Sequence, residues 1–168
     1  MCGIAGFSGH YPSELLDGFN SLLAHRGPDA CAHYFDGNNG IGLAHRRLAI
    51  IDLSAAGIQP MWDSQRQIAI VFNGEIYNFR ELKKELEGDG FLFRTRTDTE
   101  VIINLYKKHG TSMLAMLNGI FALAIWDSRD KTLVLARDQV GTKPLYYTNT
   151  KRGLLFASEI KALHQRNP

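Results

Sequence analysis

The sequence lacks the features that would direct it to a metal, a membrane or a nucleic acid. None of its six histidines has the HExxH arrangement or a comparable ligand spacing, so nothing predicts a metal site. Its apolar runs are interrupted within about ten residues, well short of the roughly 20 that a spanning helix needs. Its 19 basic residues are scattered and face 17 acidic ones, for a net charge of +2. We therefore expect neither a membrane nor a nucleic-acid partner.

Cysteine is also scarce. Only Cys2 and Cys31 occur, and the N-terminus has no basic and apolar leader of the signal-peptide kind. We expect two free thiols in a cytoplasmic protein, with Cys31 packed or exposed in a loop rather than chemically active. Glycine-rich phosphate loops of the Walker type are absent as well. The chain therefore carries no sequence signal for an ATP site.

The first informative feature that the sequence does contain is its second residue. Cys2 directly follows Met1, and a small second residue permits removal of the initiator methionine. The thiol and a free α-amine then share one residue. An α-amine titrates near ~8 and a thiol near ~8.5, so the amine can take the thiol's proton at neutral pH, directly or through one water. On its own a Met-Cys start more often marks a small buried residue on a first strand.

Hydrophobic periodicity predicts one domain of strands and grouped helices. The predicted strands are Cys2–Ser8, Ile41–His45, Leu48–Asp52, Gln67–Phe72, Phe121–Trp126, Thr132–Arg137, Leu145–Thr148 and Leu154–Ala157. The predicted helices are Ser13–Ala24, Asn78–Gly88 with Glu81 in a capping box, one from Thr97 or Asp98 to Gly110, and a short one over Met113–Leu117. Hairpins together with grouped helices favour packed antiparallel sheets covered by helices over a regular alternation around a parallel sheet.

Eight motif-like segments follow one another along the chain, at residues 1–6, 25–29, 44–52, 72–78, 97–100, 119–122, 137–147 and 157–163. In this order they resemble the class II glutamine amidotransferase domain of asparagine synthetases. The resemblance spans nearly the whole chain. It implies an α+β fold of the N-terminal-nucleophile hydrolase type, a four-layer αββα sandwich of two antiparallel sheets between helices. It also implies hydrolysis of glutamine to glutamate and ammonia.

The chemistry of amide hydrolysis points to a second set of residues. Attack by a thiolate places negative charge on the carbonyl oxygen, which preorganised donors must stabilise. Asn73 offers side-chain N–H donors, and Gly74 lets its backbone N–H approach closely because it has no Cβ. The resemblance implies that this pair forms the oxyanion hole for Cys2. Taken alone, the Asn-Gly dipeptide predicts a tight hairpin turn.

Glutamine also presents an α-carboxylate and an α-ammonium. Arg47 can clamp the carboxylate through two parallel hydrogen bonds, and Asp98 can pair with the ammonium. Both match the family's substrate-binding positions, with Glu75 as a further polar contact. Without the resemblance, Arg47 would be interpreted as a surface charge and Asp98 as a helix N-cap. The motif that contains His25 is expected to shape the site rather than to act in catalysis.

The resemblance also predicts where the ammonia goes. Asparagine synthetases carry a second, ATP-dependent domain that activates aspartate, so residues 1–168 are expected to be the glutaminase domain alone. The synthetase domain would then be supplied in cis or in trans. No cofactor is expected in the glutaminase domain, and ATP and Mg are expected only in the synthetase domain. Association of two copies as a homodimer is left open.

Three functional alternatives remain at this stage. The first is a related synthetase that amidates a carboxylate other than aspartate. The second is an amidotransferase domain of the purine or glucosamine pathway, which residues 72–78 and 97–100 fit less well. The third is a module that has lost catalysis, against which the presence of every expected site residue argues.

Overall fold

A computed structural model describes residues 1–49 and 54–164. These residues form nine strands: β1 (Gly3–Gly9), β2 (Ala30–Asp36), β3 (Ile41–Arg47), β4 (Met61–Trp62), β5 (Ile68–Ile76), β6 (Gly119–Asp127), β7 (Thr132–Arg137), β8 (Tyr146–Thr150) and β9 (Gly153–Ala157). The α-helices of this part of the chain are α1 (Glu14–Leu22), α2 (Phe79–Gly88), α3 (Asp98–His109) and α4 (Ile160–Leu163). Short 3-10 turns cover Ala24–Arg26, Ala55–Gly57 and Gly110–Met116.

The strands form two antiparallel sheets. The first has the order β2-β3-β1-β9-β8, and the second has the order β4-β5-β6-β7. In the first sheet the central strand β1 pairs Ala5 with Ala44 of β3 and with Ala157 of β9. In the second sheet β5 and β6 pair along their full length. The N-terminus therefore enters at the middle of one sheet, beside the end of β3.

Strand β5 shows how the layers are built, because its side chains alternate between two apolar environments. Ile68, Ile70 and Phe72 face the core beneath α2 and α3, whereas Ala69 and Val71 face the core between the sheets. Period-2 alternation of this kind buries both faces of a strand. A third apolar cluster lies between α1, α4 and the outer face of the first sheet. The four-layer αββα sandwich predicted from the resemblance is therefore confirmed.

Several predicted elements differ from those of the structure. Strand β2 was not predicted because it lies at a sheet edge with half-exposed side chains. Cys31 lies on this strand, exposed and free, rather than in a loop. The predicted strand over Leu48–Asp52 is not seen at Leu48 and Ala49, which have no regular structure, and its remainder falls outside the described residues. The predicted helix Met113–Leu117 is instead the second half of the 3-10 turn Gly110–Met116, and Leu117 follows that turn in an extended conformation.

The capping box predicted at Asn78 is wrong. Asn78 precedes α2, but its side chain makes no cap hydrogen bond. Its amide instead donates to the Met116 carbonyl at 3.0 Å and accepts from the Asn118 N–H at 3.0 Å. The side chain thus links the start of α2 to the segment leading into β6. No helix in the described part of the chain is long and apolar enough to cross a membrane.

Candidate active site

A cleft of about 120 Å³ lies where the start of β1, the end of β3 and the second half of β5 meet the N-terminus of α3. Five of the six predicted site residues line it: Cys2, Arg47, Gly74, Glu75 and Asp98. The sixth, Asn73, is buried between the lining residues Phe72 and Gly74. The folding of four separate chain segments therefore brings the predicted residues to one place.

The Cys2 side chain is held by backbone groups of the segment that follows β3. The Leu48 N–H donates to Cys2 Sγ at 3.4 Å, and the thiol is 3.6 Å from the Leu48 carbonyl, to which it donates. Arg26 Nε donates to the Cys2 carbonyl at 2.9 Å. Met1 is present and 58% exposed, with its Sδ 3.3 Å from Lys143 Nζ across the cleft. Both the sulfur and the backbone of Cys2 are therefore fixed.

A carboxylate at the end of the first sheet supports Arg26. Glu159, which follows β9, accepts from Arg26 at 2.9 Å, from His25 at 2.8 Å and from Lys161 at 3.1 Å. Burial raises the pKa of Glu159, but these three hydrogen bonds outweigh it and bring the pKa down to about 2. Glu159 is therefore charged at every physiological pH. His25 and Arg26 lie behind Cys2, in the position of supporting groups.

The loop after Arg26 supports the end of β3. A Cβ on Gly27 would lie 2.4 Å from the Arg46 carbonyl carbon, so only glycine allows this close approach. The Asp29 N–H donates to the Arg47 carbonyl at 3.1 Å, and its carboxylate accepts from the Ala49 N–H at 2.8 Å. Asp29 thus fixes the segment that carries Arg47 and that flanks the Cys2 thiol.

Asn73 and Gly74 lie within β5, so the interpretation of this dipeptide as a hairpin turn is wrong. Since Ala69 and Val71 face the opposite sheet, the Asn73 side chain does too, and this is the side from which Cys2 enters. Asn73 is 1% exposed. Its Nδ2 is buried without a hydrogen-bond partner among the residues that the structure describes. Such a donor is costly to leave unpaired and suits an oxygen acceptor that arrives from outside the chain.

The backbone of Gly74 is directed toward the cleft side of β5. Ile68 exchanges hydrogen bonds with Asp63 on the β4 side of the strand, and backbone groups two residues apart point the same way. The Gly74 N–H therefore faces away from β6, toward the side where β4 has ended. A Cβ on Gly74 would lie 2.3 Å from the Ile120 carbonyl oxygen. Glycine is the residue that this packing permits.

Arg47 and Asp98 both line the cleft, one at the end of β3 and the other at the start of α3. Arg47, at the end of β3, is nearly buried and donates to the Ser54 carbonyl at 2.8 Å, which contradicts its interpretation as a surface charge. Asp98 is the first residue of α3 and is 4% exposed. The N-cap is Thr97, whose side chain accepts from the Glu100 N–H at 3.3 Å, so the capping interpretation of Asp98 is also wrong.

The electrostatics of Asp98 are unusual for a surface-accessible cleft. Burial raises its pKa to about 6, with a further upward contribution from the nearby Glu75 charge. Hydrogen bonds from the Ile76 and Thr99 N–H groups act in the opposite direction, and the Ile76 contact is 3.1 Å long. The carboxylate is thus largely ionised at neutral pH. A cation in the cleft would stabilise its charge.

Several further lining residues were not predicted as site residues from the sequence, among them Gln59, Thr99 and Lys143. Gln59 lacks a sequence signal, because only the folded chain brings it to β5. Thr99 lies in the segment 97–100, which carries part of the resemblance. Lys143 lies in the segment 137–147 that carries part of the resemblance, and this was the available signal. Among residues 1–49 and 54–164, no group of three or more His, Cys, Asp or Glu side chains could hold a metal ion.

Comparisons with known proteins place the chain in a family. The family profile described as "Glutamine amidotransferase domain" matches residues 1–168. The chain is 43% identical to Amidase chry2 of Gibberella zeae, over 96% of this chain and 26% of that protein. It is 41% identical to Asparagine synthetase [glutamine-hydrolyzing] 1 of Bacillus subtilis, over 97% of this chain and 26% of that protein. The chain thus spans about a quarter of the length of these curated relatives.

A solved structure shares the architecture. The fold is similar to that of glutamine phosphoribosylpyrophosphate amidotransferase from B. subtilis, in complex with ADP and GMP, with a TM-score of 0.80 and 25% identity. The match covers 96% of this chain and 43% of that one. Because the family profile matches from residue 1 to residue 168, the chain belongs to the glutamine amidotransferase family.

Proposed function

We propose that residues 1–168 are a glutaminase domain that hydrolyses glutamine to glutamate and ammonia, with Cys2 as the nucleophile. One observation carries the proposal: a single cleft is lined by a thiol, a cationic guanidinium, a buried carboxylate and a strand glycine, beside a buried and unpaired amide donor. This set of groups matches what attack on the side-chain amide of an amino acid requires.

Removal of Met1 is the first requirement. It frees the α-amine of Cys2, which lies on the same residue as the thiol and can accept its proton. The thiolate then attacks the side-chain amide carbon of glutamine, and a C–S bond forms as the carbonyl π electrons move to oxygen. The fixed backbone and sulfur of Cys2 support this role, because attack needs a defined direction.

Stabilisation of the resulting oxyanion is assigned to two donors. The Nδ2 of Asn73, which has no partner in the described part of the chain, and the cleft-facing N–H of Gly74 are both fixed by β5 before substrate arrives. Donors that need no reorganisation contribute most to lowering the barrier.

Collapse of the tetrahedral intermediate releases ammonia. The C–N bond breaks as the Cys2 α-ammonium gives its proton to the leaving nitrogen, and a γ-glutamyl thioester remains. A water molecule then attacks the thioester and loses a proton to the α-amine. The C–S bond breaks, glutamate leaves, and the thiol regains its proton.

Recognition of the two ends of glutamine is assigned to the cleft walls. Arg47 pairs with the α-carboxylate, and Asp98 pairs with the α-ammonium, with Glu75 as a further polar contact near the mouth. Nearly full burial of Arg47 and Asp98 supports these roles, because a desolvated pair holds its partner more strongly than an exposed one.

The ammonia is proposed to serve a second domain, in cis or in trans, that activates a carboxylate with ATP and Mg. Relatives about four times as long as this chain include a glutamine-hydrolysing asparagine synthetase, which supports aspartate as the acceptor. The similarly close relative named an amidase supports a second candidate, in which another carboxylate is amidated. No cofactor is needed for the glutaminase step itself.

Glutamate release tests the proposal. The protein with Met1 removed is incubated with glutamine, and glutamate and ammonia are measured together. We expect equimolar products, and we expect none from a Cys2→Ala variant that keeps the far-ultraviolet circular dichroism of the parent. Equal activity in the Cys2→Ala variant would contradict the assignment of the nucleophile, and no activity in the processed parent would contradict the proposed function.

A further inference from the structure

The oxyanion-hole segment of β5 lies beyond the reach of its neighbouring strand. Strand β4 has only two residues, Met61 and Trp62, which pair with Ile70 and Ala69. Strand β5 continues for six residues past Ile70. On that side, the backbone groups of Phe72 face the same way as those of Ile68, and within residues 1–49 and 54–164 they have no strand partner. An unsupported strand edge next to a catalytic cleft would be free to move.

Two buried side chains take the place of the missing strand at Phe72. Gln59 Oε1 accepts from the Phe72 N–H at 2.6 Å, and His45 Nε2 is 3.3 Å from the Phe72 carbonyl. A carbonyl only accepts, so His45 carries its proton on Nε2. Burial lowers the pKa of His45 to about 3, which keeps the ring neutral. Gln59 and His45 are 6% and 1% exposed.

The orientation of the Gln59 amide is fixed at both ends. Its Oε1 must face the Phe72 N–H, because that donor needs an acceptor, and its Nε2 then donates to Thr99 Oγ1 at 3.3 Å. Thr99 follows Asp98 at the start of α3. Gln59 therefore connects the strand that carries the proposed oxyanion donors to the helix that carries the proposed ammonium-binding carboxylate.

We propose that Gln59 is a positioning residue for the oxyanion hole. By accepting a hydrogen bond from the Phe72 N–H, Gln59 fixes the backbone of β5 one residue before Asn73 and two residues before Gly74. The inference rests on the proposed glutaminase function. Gln59 touches no reacting atom in this account, and its effect reaches the transition state through the backbone of β5.

The main test compares two variants that remove different contacts of the same amide. Gln59→Met keeps the side-chain volume but removes the acceptor for Phe72, whereas Thr99→Val removes only the hydroxyl partner. We expect Gln59→Met to lower kcat by about 10- to 100-fold with KM for glutamine within about threefold. Thr99→Val keeps the acceptor for the Phe72 N–H, so we expect its loss in kcat to be at least about threefold smaller than that of Gln59→Met. An equal loss in the two variants would overturn the inference. Equal kcat in Gln59→Met and the parent would overturn the inference.

A transition-state analogue separates positioning from general damage to the fold. The Cys2 sulfur adds to the carbonyl carbon of the γ-aldehyde analogue of glutamine. The carbonyl oxygen takes up the thiol proton and lies in the oxyanion hole. Its inhibition constant should rise in Gln59→Met in proportion to the loss in kcat/KM, whereas that of glutamate should stay within about threefold. Equal weakening of both ligands would overturn the inference, because it would indicate collapse of the whole cleft.

A second variant decides the matter if Gln59→Met does not fold. Gln59→Glu keeps an oxygen acceptor for the Phe72 N–H, and the Thr99 hydroxyl can donate to its other oxygen, so kcat should stay within about tenfold of the parent. A loss above 100-fold in a folded Gln59→Glu variant would contradict positioning by this acceptor. Absence of activity in the parent itself would instead refute the proposed function.

Discussion

Lowering the pH through about 6 should weaken glutamine binding, because Asp98 must be ionised to pair with the substrate's ammonium. Burial raises the pKa of Asp98 to about 6, so the ligand-free carboxyl is about 90% ionised at pH 7 and about 9% ionised at pH 5. If only the ionised form binds, the dissociation constant rises about tenfold between those two values. Below pH 5 it should rise tenfold for each further pH unit.

The measurement is a calorimetric titration of glutamine into the processed Cys2→Ala variant between pH 4.5 and 8. This variant prevents turnover, so equilibrium binding is observed without the ionisation of the thiol. The ammonium of glutamine stays protonated across most of this range, and the change in affinity therefore belongs to the protein. The logarithm of the dissociation constant should be nearly flat above pH 7 and should rise with unit slope at low pH.

Two further variants make the assignment specific to Asp98. Asp98→Asn should bind glutamine at least about tenfold more weakly than the parent at pH 7, and its affinity should not change with pH below 7. Glu75→Gln removes a charge that raises the pKa of Asp98, so its transition should move to lower pH. A parent affinity that does not change between pH 5 and 7, or an unchanged profile in Asp98→Asn, would refute the reasoning.

Three other outcomes are expected. Asn73→Ala should lower kcat by about 100-fold or more with little change in KM, since it deletes a donor used mainly in the transition state. A comparable rise in KM with unchanged kcat would argue against this role. Glu159→Gln should lower kcat by about 3- to 30-fold, because Arg26, which holds the Cys2 carbonyl, loses its ionic partner; unchanged kinetics would exclude this support. Asp98→Asn should stabilise the ligand-free protein at pH 7 by on the order of 2 kcal/mol, measured by urea unfolding. The pKa of Asp98 is higher in the folded state than in the unfolded state, so the parent loses stability as the pH rises from about 4 to 6. A less stable variant at pH 7 would contradict the sign.

Local sequence signals predicted the parts of the fold that local physics decides. The hairpin of β6 and β7 was predicted because two apolar runs flank a polar turn, and α3 because its apolar residues recur on one face before Gly110. Gly110 has a positive φ of +58°, as expected for a glycine that ends a helix. Strand β2 was missed because an edge strand buries only part of each face.

The site was predicted through the resemblance rather than through spacing. The dipeptide rules favoured a turn at Asn73 and Gly74, yet both lie in the middle of a buried sheet, where pairing with β6 overrides local turn propensity. Gln59 could not be found in the same way. Its importance comes from the early end of β4, which leaves Phe72 without a strand partner, and this is a property of the tertiary structure alone.

The claim on which the whole account depends is that the freed α-amine of Cys2 is the base. The direct measurement compares glutaminase turnover in two preparations whose N-termini are verified by mass spectrometry, one beginning at Cys2 and one that retains Met1. We predict that the Met1-retaining form has the same circular dichroism but less than about 1% of the turnover, since its thiol has no amine on the same residue. Full turnover in the Met1-retaining form would contradict the account.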